Sequence, residues 1–162
     1  MHEPANGSGE TGRKLQLCAT KGVAPSIVIE RAHNEVLALC GCLEEIADSF
    51  PSRINQALCF SVAGKLVPLL SDVHRYEESI LFPWLERAFP TKTMLHNSLR
   101  RLRSEHLEDE AFASEINEEL LNIARGGQFQ PETAGYMLRG FFESVRRHVA
   151  CEREYLYELL EA

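Results

Sequence analysis

Four histidines, His33, His74, His106 and His148, fall in stretches where apolar residues recur every three or four positions. Imidazole is the commonest metal-ligating side chain and the one that exchanges its proton near neutral pH. Three of the four are followed four residues on by a carboxylate: Glu78 after His74, Glu110 after His106 and Glu152 after His148. On a helix such a pair shares one face, about 6 Å apart at Cβ, so both groups can reach one metal ion or two adjacent ones. A single histidine on an apolar face is more often a hydrogen-bonded core residue, and a single His-x-x-x-Glu pair more often a surface pair. The weight lies in the four together.

The elements that must position them are legible from periodicity. A first helix, capped by Ser26, carries Ile29, Ala32, His33, Val36, Leu37, Cys40, Leu43 and Ala47 on one face and ends near Asp48, Phe50 and Pro51. A second begins near Ser52 and carries Leu58, Val62, Leu66, Leu70, His74, Glu78 and Leu81, with a kink or break expected at Pro68. Pro83 and Pro90 bracket a short irregular or one-turn stretch. A third helix runs from Thr93 through Leu99, His106 and Ile116 to a stop at Gly126-Gly127, and a fourth follows Pro131 with Leu138, Phe141, Val145, His148, Glu152 and Leu156. No strand pattern competes. Long amphipathic helices with short connections predict an all-α, antiparallel, up-down-up-down four-helix bundle over residues 23–162. Residues 1–22, polar and Gly-rich, read as a flexible tail.

Folding the chain at these connections sets the histidines at comparable heights. The sequence midpoint between His74 and His106 is Pro90, inside a predicted connection, and that between His106 and His148 is Gly127, inside the Gly-Gly turn. Antiparallel helices of equal rise then bring these side chains to one level. For His33 and His74 the midpoint falls between Arg53 and Ile54, a few residues past the turn, leaving an offset of roughly 7 Å. Independent core histidines have no reason to converge, so the pattern predicts a metal site. Imidazoles and carboxylates without matching cysteines suit iron, manganese or zinc. Several buried carboxylates need cationic compensation, and the number of donors suits two ions bridged by carboxylates.

Order and spacing resemble the hemerythrin-like HHE cation-binding family. That pattern is a histidine in the first helix, His-x-x-x-Glu in the second, a histidine with a following ligand in the third and His-x-x-x-Glu in the fourth. The stretch from His74 to Glu86, with Glu77-Glu78, Leu81-Phe82-Pro83 and Leu85-Glu86, is especially similar. The resemblance covers roughly residues 25–160. It implies two iron ions (Fe2+/Fe3+) joined by carboxylate and oxo bridges, with Glu78 and Glu152 as the bridging carboxylates. His33 and His74 would ligate one iron, and His106 and His148 the other. Oxygen-carrying hemerythrins have a second histidine where Glu110 stands. A carboxylate there makes the ligand set harder, which favours ferric iron over reversible oxygen carriage. Asp109 and Glu77 are adjacent candidates for extra ligands, and Tyr155 for a hydrogen bond to a ligand or bound oxygen species. Zinc or manganese could occupy the same donors.

The remaining features set limits. A net charge of −7 argues against nucleic acid as a partner, since phosphate binding needs a basic face. No stretch reads as the roughly 20 apolar residues that cross a bilayer, and the N-terminus lacks the apolar core of a secretory signal. Five cysteines without a disulfide-framework pattern read as reduced thiols in a cytoplasmic protein. Cys40 and Cys42 point to different sides of their helix, and Cys151 faces away from Glu152. Phe82 and Trp84 are expected to close one end of the bundle, and His96 to lie in solvent.

Two functions follow. One is a non-heme di-iron protein that binds, senses or reacts with dioxygen, peroxide or nitric oxide in a pocket lined by Leu37, Leu102 and Val145. The other is an iron- or oxygen-responsive module in which the metal is structural and a protein partner or second copy of the chain reads its state.

Overall fold

The structure, a computed structural model, describes residues 23 and 25–160 of the chain. The expected tail over residues 1–22 lies outside the described residues. Helix α1 spans Pro25–Ser49 and α2 Gln56–Tyr76, after which one π-helical turn, Glu77–Leu81, leads directly into the short α3, Phe82–Ala88. Helices α4 (Thr93–Ala124) and α5 (Pro131–Leu160) complete an all-α, antiparallel bundle with no strand among the described residues. Neighbours pack in a ring, α1 on α2, α2 on α4, α4 on α5 and α5 on α1. Ile29, Leu43, Leu99, Ile116, Leu120, Leu138 and Phe141 are all but inaccessible to solvent and fill its axis.

Four local details differ from the sequence reading. Helix α1 begins at Pro25, so Ser26 sits inside the first turn, where proline is tolerated because its missing N–H is not needed. Helix α2 starts at Gln56 and not near Ser52: Asn55 is the cap, its Oδ1 accepting from the Leu58 N–H at 3.0 Å. Replacing Asn55 by Ala is expected to cost about 1 kcal/mol, read as a lower urea midpoint at unchanged slope. Of the kink or break expected at Pro68, the break does not occur, and α2 runs continuously through it. The loss of one hydrogen bond is offset by the packing of Leu66, Leu69 and Leu70 on either side of it. Where an irregular or one-turn stretch was expected between Pro83 and Pro90, the chain runs on as the seven-residue α3, Phe82–Ala88, because Pro83 occupies its opening turn.

The departure from regular helix lies instead at the π turn. Proline at position 83 donates no N–H, and in a regular helix its ring would press on the carbonyl of Ser79. A wider turn relieves that pressure, and the Phe82 N–H bonds back to the Glu77 carbonyl. Such turns insert one extra residue and shift the face that follows.

At the far end, Gly126 adopts φ 74° and ends α4, with the Gly127 N–H bonded to the Asn122 carbonyl at 2.9 Å. A Cβ on Gly127 would meet Asn122 Oδ1 at 2.0 Å, so another residue there would displace the Asn122 side chain, which donates to the Gln128 carbonyl at 2.9 Å. The stretch Gln56–Ala88 is long and apolar enough to cross a membrane by length and composition, despite Ser61, Gly64 and Pro68 within it. In the bundle close to half of its most apolar window is buried, with Cys59, Val62, Leu66 and Leu70 in the core.

Candidate metal centre

Each long helix delivers one histidine to the same level. The His74 and His106 rings stack with centroids 3.9 Å apart and planes 9° apart, and His148 lies 5.2 Å from His106. His33, His74 and His106 are buried, and the His148 side chain is 8% exposed. Helix α5 adds Glu152, and the first residue of the π turn adds Glu77; both are essentially inaccessible to solvent.

The Nε2 atoms converge on these two carboxylates. His33 Nε2 is 2.9 Å from Glu77 Oε1 and 2.9 Å from Glu152 Oε2. The other oxygen of each carboxylate faces the opposite histidines: Glu77 Oε2 is 3.1 Å from His106 Nε2, and Glu152 Oε1 is 3.3 Å from His148 Nε2 and 3.9 Å from His106 Nε2. Both carboxylates thus span two donor groups. His33, Glu77 and Glu152 form one, and His106, His148 and Glu152 the other. Despite these separations, Glu77 Oε2, Glu152 Oε1, His106 Nε2 and His148 Nε2 make no hydrogen bond among the described residues, although all are fully buried. Buried polar atoms are normally satisfied. Four unsatisfied donor atoms around a common space are what a cation would complete, so the residues fit a metal.

The other ring nitrogens face outward onto a second set of carboxylates. His74 Nδ1 lies 2.9 Å from Glu110 Oε1, His106 Nδ1 lies 2.7 Å from Glu78 Oε1 and His148 Nδ1 lies 3.3 Å from Asp109 Oδ2. A carboxylate at Nδ1 accepts its proton, fixes the tautomer and leaves the Nε2 lone pair directed inward. Residues 25–160 match the model of the family described as Hemerythrin HHE cation binding domain. The chain belongs to that family. Comparison with curated proteins and with solved structures yields no match.

In this hemerythrin-family domain the adjacent acidic residues divide differently from the sequence expectation. Glu77 stands between His33 and His106, whereas the Glu78 side chain is 40% exposed and meets only the outer nitrogen of His106. The π turn beginning at Glu77 carries Glu78 off the inward face that a regular i, i+4 spacing would give it. Glu110 reaches sideways to His74 and is 37% exposed, and Ser71 Oγ donates to it at 3.4 Å. It therefore faces the outer nitrogen of a histidine on the neighbouring helix, not the space between the inner nitrogens. Asp109 turns toward His148. Glu105, on the same side at 3.5 Å, escaped the sequence reading because it precedes its helix's histidine. The Tyr155 side chain lies outside the described residues.

Electrostatics follow from the same contacts. Burial alone would lower the pKa of His33, but the Glu152 and Glu77 carboxylates outweigh it and raise the value to about 9. His106 is pushed up to about 10, again against burial, by Glu152 and Glu77; His148 is pushed up to about 10 by Asp109 and Glu152. His74 behaves oppositely: burial, reinforced by the charge on His106, lowers it to about 4. Burial would raise the Glu152 carboxyl, but His106, His148 and His33 together hold it well below the usual range.

Metal-free protein near neutral pH therefore carries protons on three of the four imidazoles, and a metal must displace them. Loading at pH 7 is expected to release about three protons per chain, and apparent affinity to rise with pH toward 9 to 10, the window in which those protons leave anyway. A pH-indicator dye in weak buffer reads this directly. Release of less than one proton per chain would contradict it.

A cavity of about 10 Å3 lies inside the cluster, walled by Val36, Leu70, Val73, Val145 and Val149. Of the wall residues expected from sequence, only Val145 borders it; Leu37 and Leu102 pack elsewhere. Phe82 is buried with its ring 5.8 Å from His106, while Trp84 is 37% exposed. His96 is half-buried, with Nε2 3.1 Å from the Phe89 carbonyl. Cys40 is buried and Cys42 partly so, which fits their opposite directions, and Cys151 lies near Arg101.

Proposed function

We propose that the domain is a non-heme di-iron protein that binds, senses or reacts with dioxygen, peroxide or nitric oxide. The observation that carries this reading is the pair of fully buried carboxylates, Glu77 and Glu152, each spanning His33 on one side and His106 on the other. His33, His74, His106, His148, Glu77 and Glu152 would hold the ions. Imidazole with carboxylate suits iron, and equally admits zinc or manganese. Iron there supplies reversible one-electron chemistry toward small oxygen and nitrogen species.

The chain's own residues do the rest. Glu77 and Glu152 offset the cationic charge in a site where isolated charge is costly. Glu110, Glu78 and Asp109 hold the Nδ1 protons of His74, His106 and His148 and so fix the three rings. Val36, Leu70, Val73, Val145 and Val149 line the space between the donors with apolar groups, which limits access of bulk water to ions held there. The free thiols Cys40, Cys42, Cys59 and Cys151 fit a reducing compartment such as the cytoplasm.

The reading is tested by mixing the anaerobic, Fe(II)-loaded protein with oxygen, peroxide or nitric oxide in a stopped-flow spectrometer. At least one is expected to raise near-ultraviolet or visible absorption within seconds. A loaded protein inert to all three would overturn it.

A further inference from the structure

Between the first turns of α4 and the last turns of α5 lies a second pocket, of about 240 Å3, far larger than the cavity inside the histidine cluster. It is long and has two unlike ends. Lys92, which caps α4, and Leu159, near the end of α5, stand at the outer end, and Arg101, Cys151 and Glu152 at the inner end. Lys92 and Arg101 are nine positions apart on one helix, roughly 14 Å along its axis. Leu95 and Leu156 belong to the wall between them. Among the described residues Glu152 alone borders both this pocket and the inner cavity, so the inner end adjoins the metal centre.

The two cations are not equivalent. The Lys92 ammonium lies 4.8 Å from the centroid of the Phe89 ring, drawn to an aromatic face at the exposed outer end. The Arg101 guanidinium is steadied by Glu105 Oε1, 3.1 Å from its Nε, and by Cys151 Sγ, 3.8 Å from one Nη. Those contacts orient it and leave several of its five N–H donors unused. The buried Glu152 carboxylate borders the same end.

Opposite charges side by side select a neutral head. A carboxylate there would gain from Arg101 and be repelled by Glu152, and an ammonium would meet the reverse. Either would also give up its hydration in a mostly aliphatic space, a cost that a neutral group largely escapes. A hydroxyl accepts and donates, so it can take an N–H from Arg101 without opposing either charge. A dry cavity of roughly 150 Å3 takes benzene, so by proportion 240 Å3 suits ~10 non-hydrogen atoms.

We infer that this pocket binds a neutral, medium-chain aliphatic molecule with a terminal O–H group. Its head lies at Arg101 beside Glu152, and its chain runs outward along Leu156 and Leu95 toward Lys92. The inference goes beyond the metal reading and does not depend on which ion the centre holds.

Calorimetric titration of the full chain with primary alcohols tests it, with octanoate and octylammonium as charged counterparts. Saturable octan-1-ol binding is expected, about tenfold tighter than that of either charged molecule. From pentan-1-ol to octan-1-ol, affinity should rise about threefold per methylene as each is buried along the leucine wall. Arg101→Met, on an exposed side chain, is expected to weaken octan-1-ol about fivefold, and Lys92→Met to leave it unchanged. Absence of saturable octan-1-ol binding, a charged counterpart that binds as tightly, or equal affinities of the two variants would each overturn the inference. Metal content measured on the same samples separates this outcome from failure of the metal reading.

Discussion

Glu152→Gln is expected to empty the centre of metal and to loosen the bundle that surrounds it. One oxygen of Glu152 lies 2.9 Å from His33 Nε2 and the other 3.3 Å from His148 Nε2, so the residue serves both donor groups at once. A neutral amide removes the shared anionic charge and turns N–H groups toward nitrogens that need a cation. Metal content should fall from the two ions per chain that the proposed function expects to near zero, since Glu152 is the carboxylate common to both donor groups and Glu77 alone is left between them. Stability should fall as well. In the metal-free protein His33, His106 and His148 depend on this carboxylate for their raised pKa values, and leaving buried partners unpaired costs about 1–3 kcal/mol. Elemental analysis with a urea melt checks both effects. A variant that retains its metal would remove Glu152 from the centre.

The second large effect is a contrast between neighbours. Glu77→Gln should lower metal content nearly as far as Glu152→Gln, because Glu77 spans His33 and His106 from full burial. Glu78→Gln should keep the metal and weaken its binding by roughly 10–100-fold, the usual cost of losing an outer partner that orients a histidine. Burial separates the two residues: 1% side-chain exposure against 40%. Competition with a graded series of chelators resolves the difference. If Glu78→Gln empties the site and Glu77→Gln leaves it loaded, the π turn does not have the role given to it.

That contrast also marks where the sequence stops being informative. The four helices and the heights of their histidines were legible because apolar periodicity and antiparallel rise are properties of the backbone alone. His74 and His106 stack as their shared midpoint at Pro90 implies. The division between Glu77 and Glu78 was not legible, because both lie near the face of His74 in a regular helix and only the π turn before Pro83 separates them. Glu110 is a similar case. Its spacing from His106 suggested a ligand on α4, but the neighbouring α2 offers His74 Nδ1 at 2.9 Å, a contact between helices that no local pattern encodes. Asn55 and Ser52 are both good cap residues, and the turn between α1 and α2 decides which one serves. The pocket between α4 and α5 escaped because its walls are ordinary leucines far apart in sequence.

The central claim is that Glu77 and Glu152 join two donor groups into one two-metal centre. Anaerobic titration of the metal-free chain with Fe(II), with bound iron counted after removal of excess, tests it most directly. Saturation near two irons per chain, lost in both Glu77→Gln and Glu152→Gln, is the expected result. Saturation at one iron or fewer, or uptake of two irons that survives both substitutions, would contradict it.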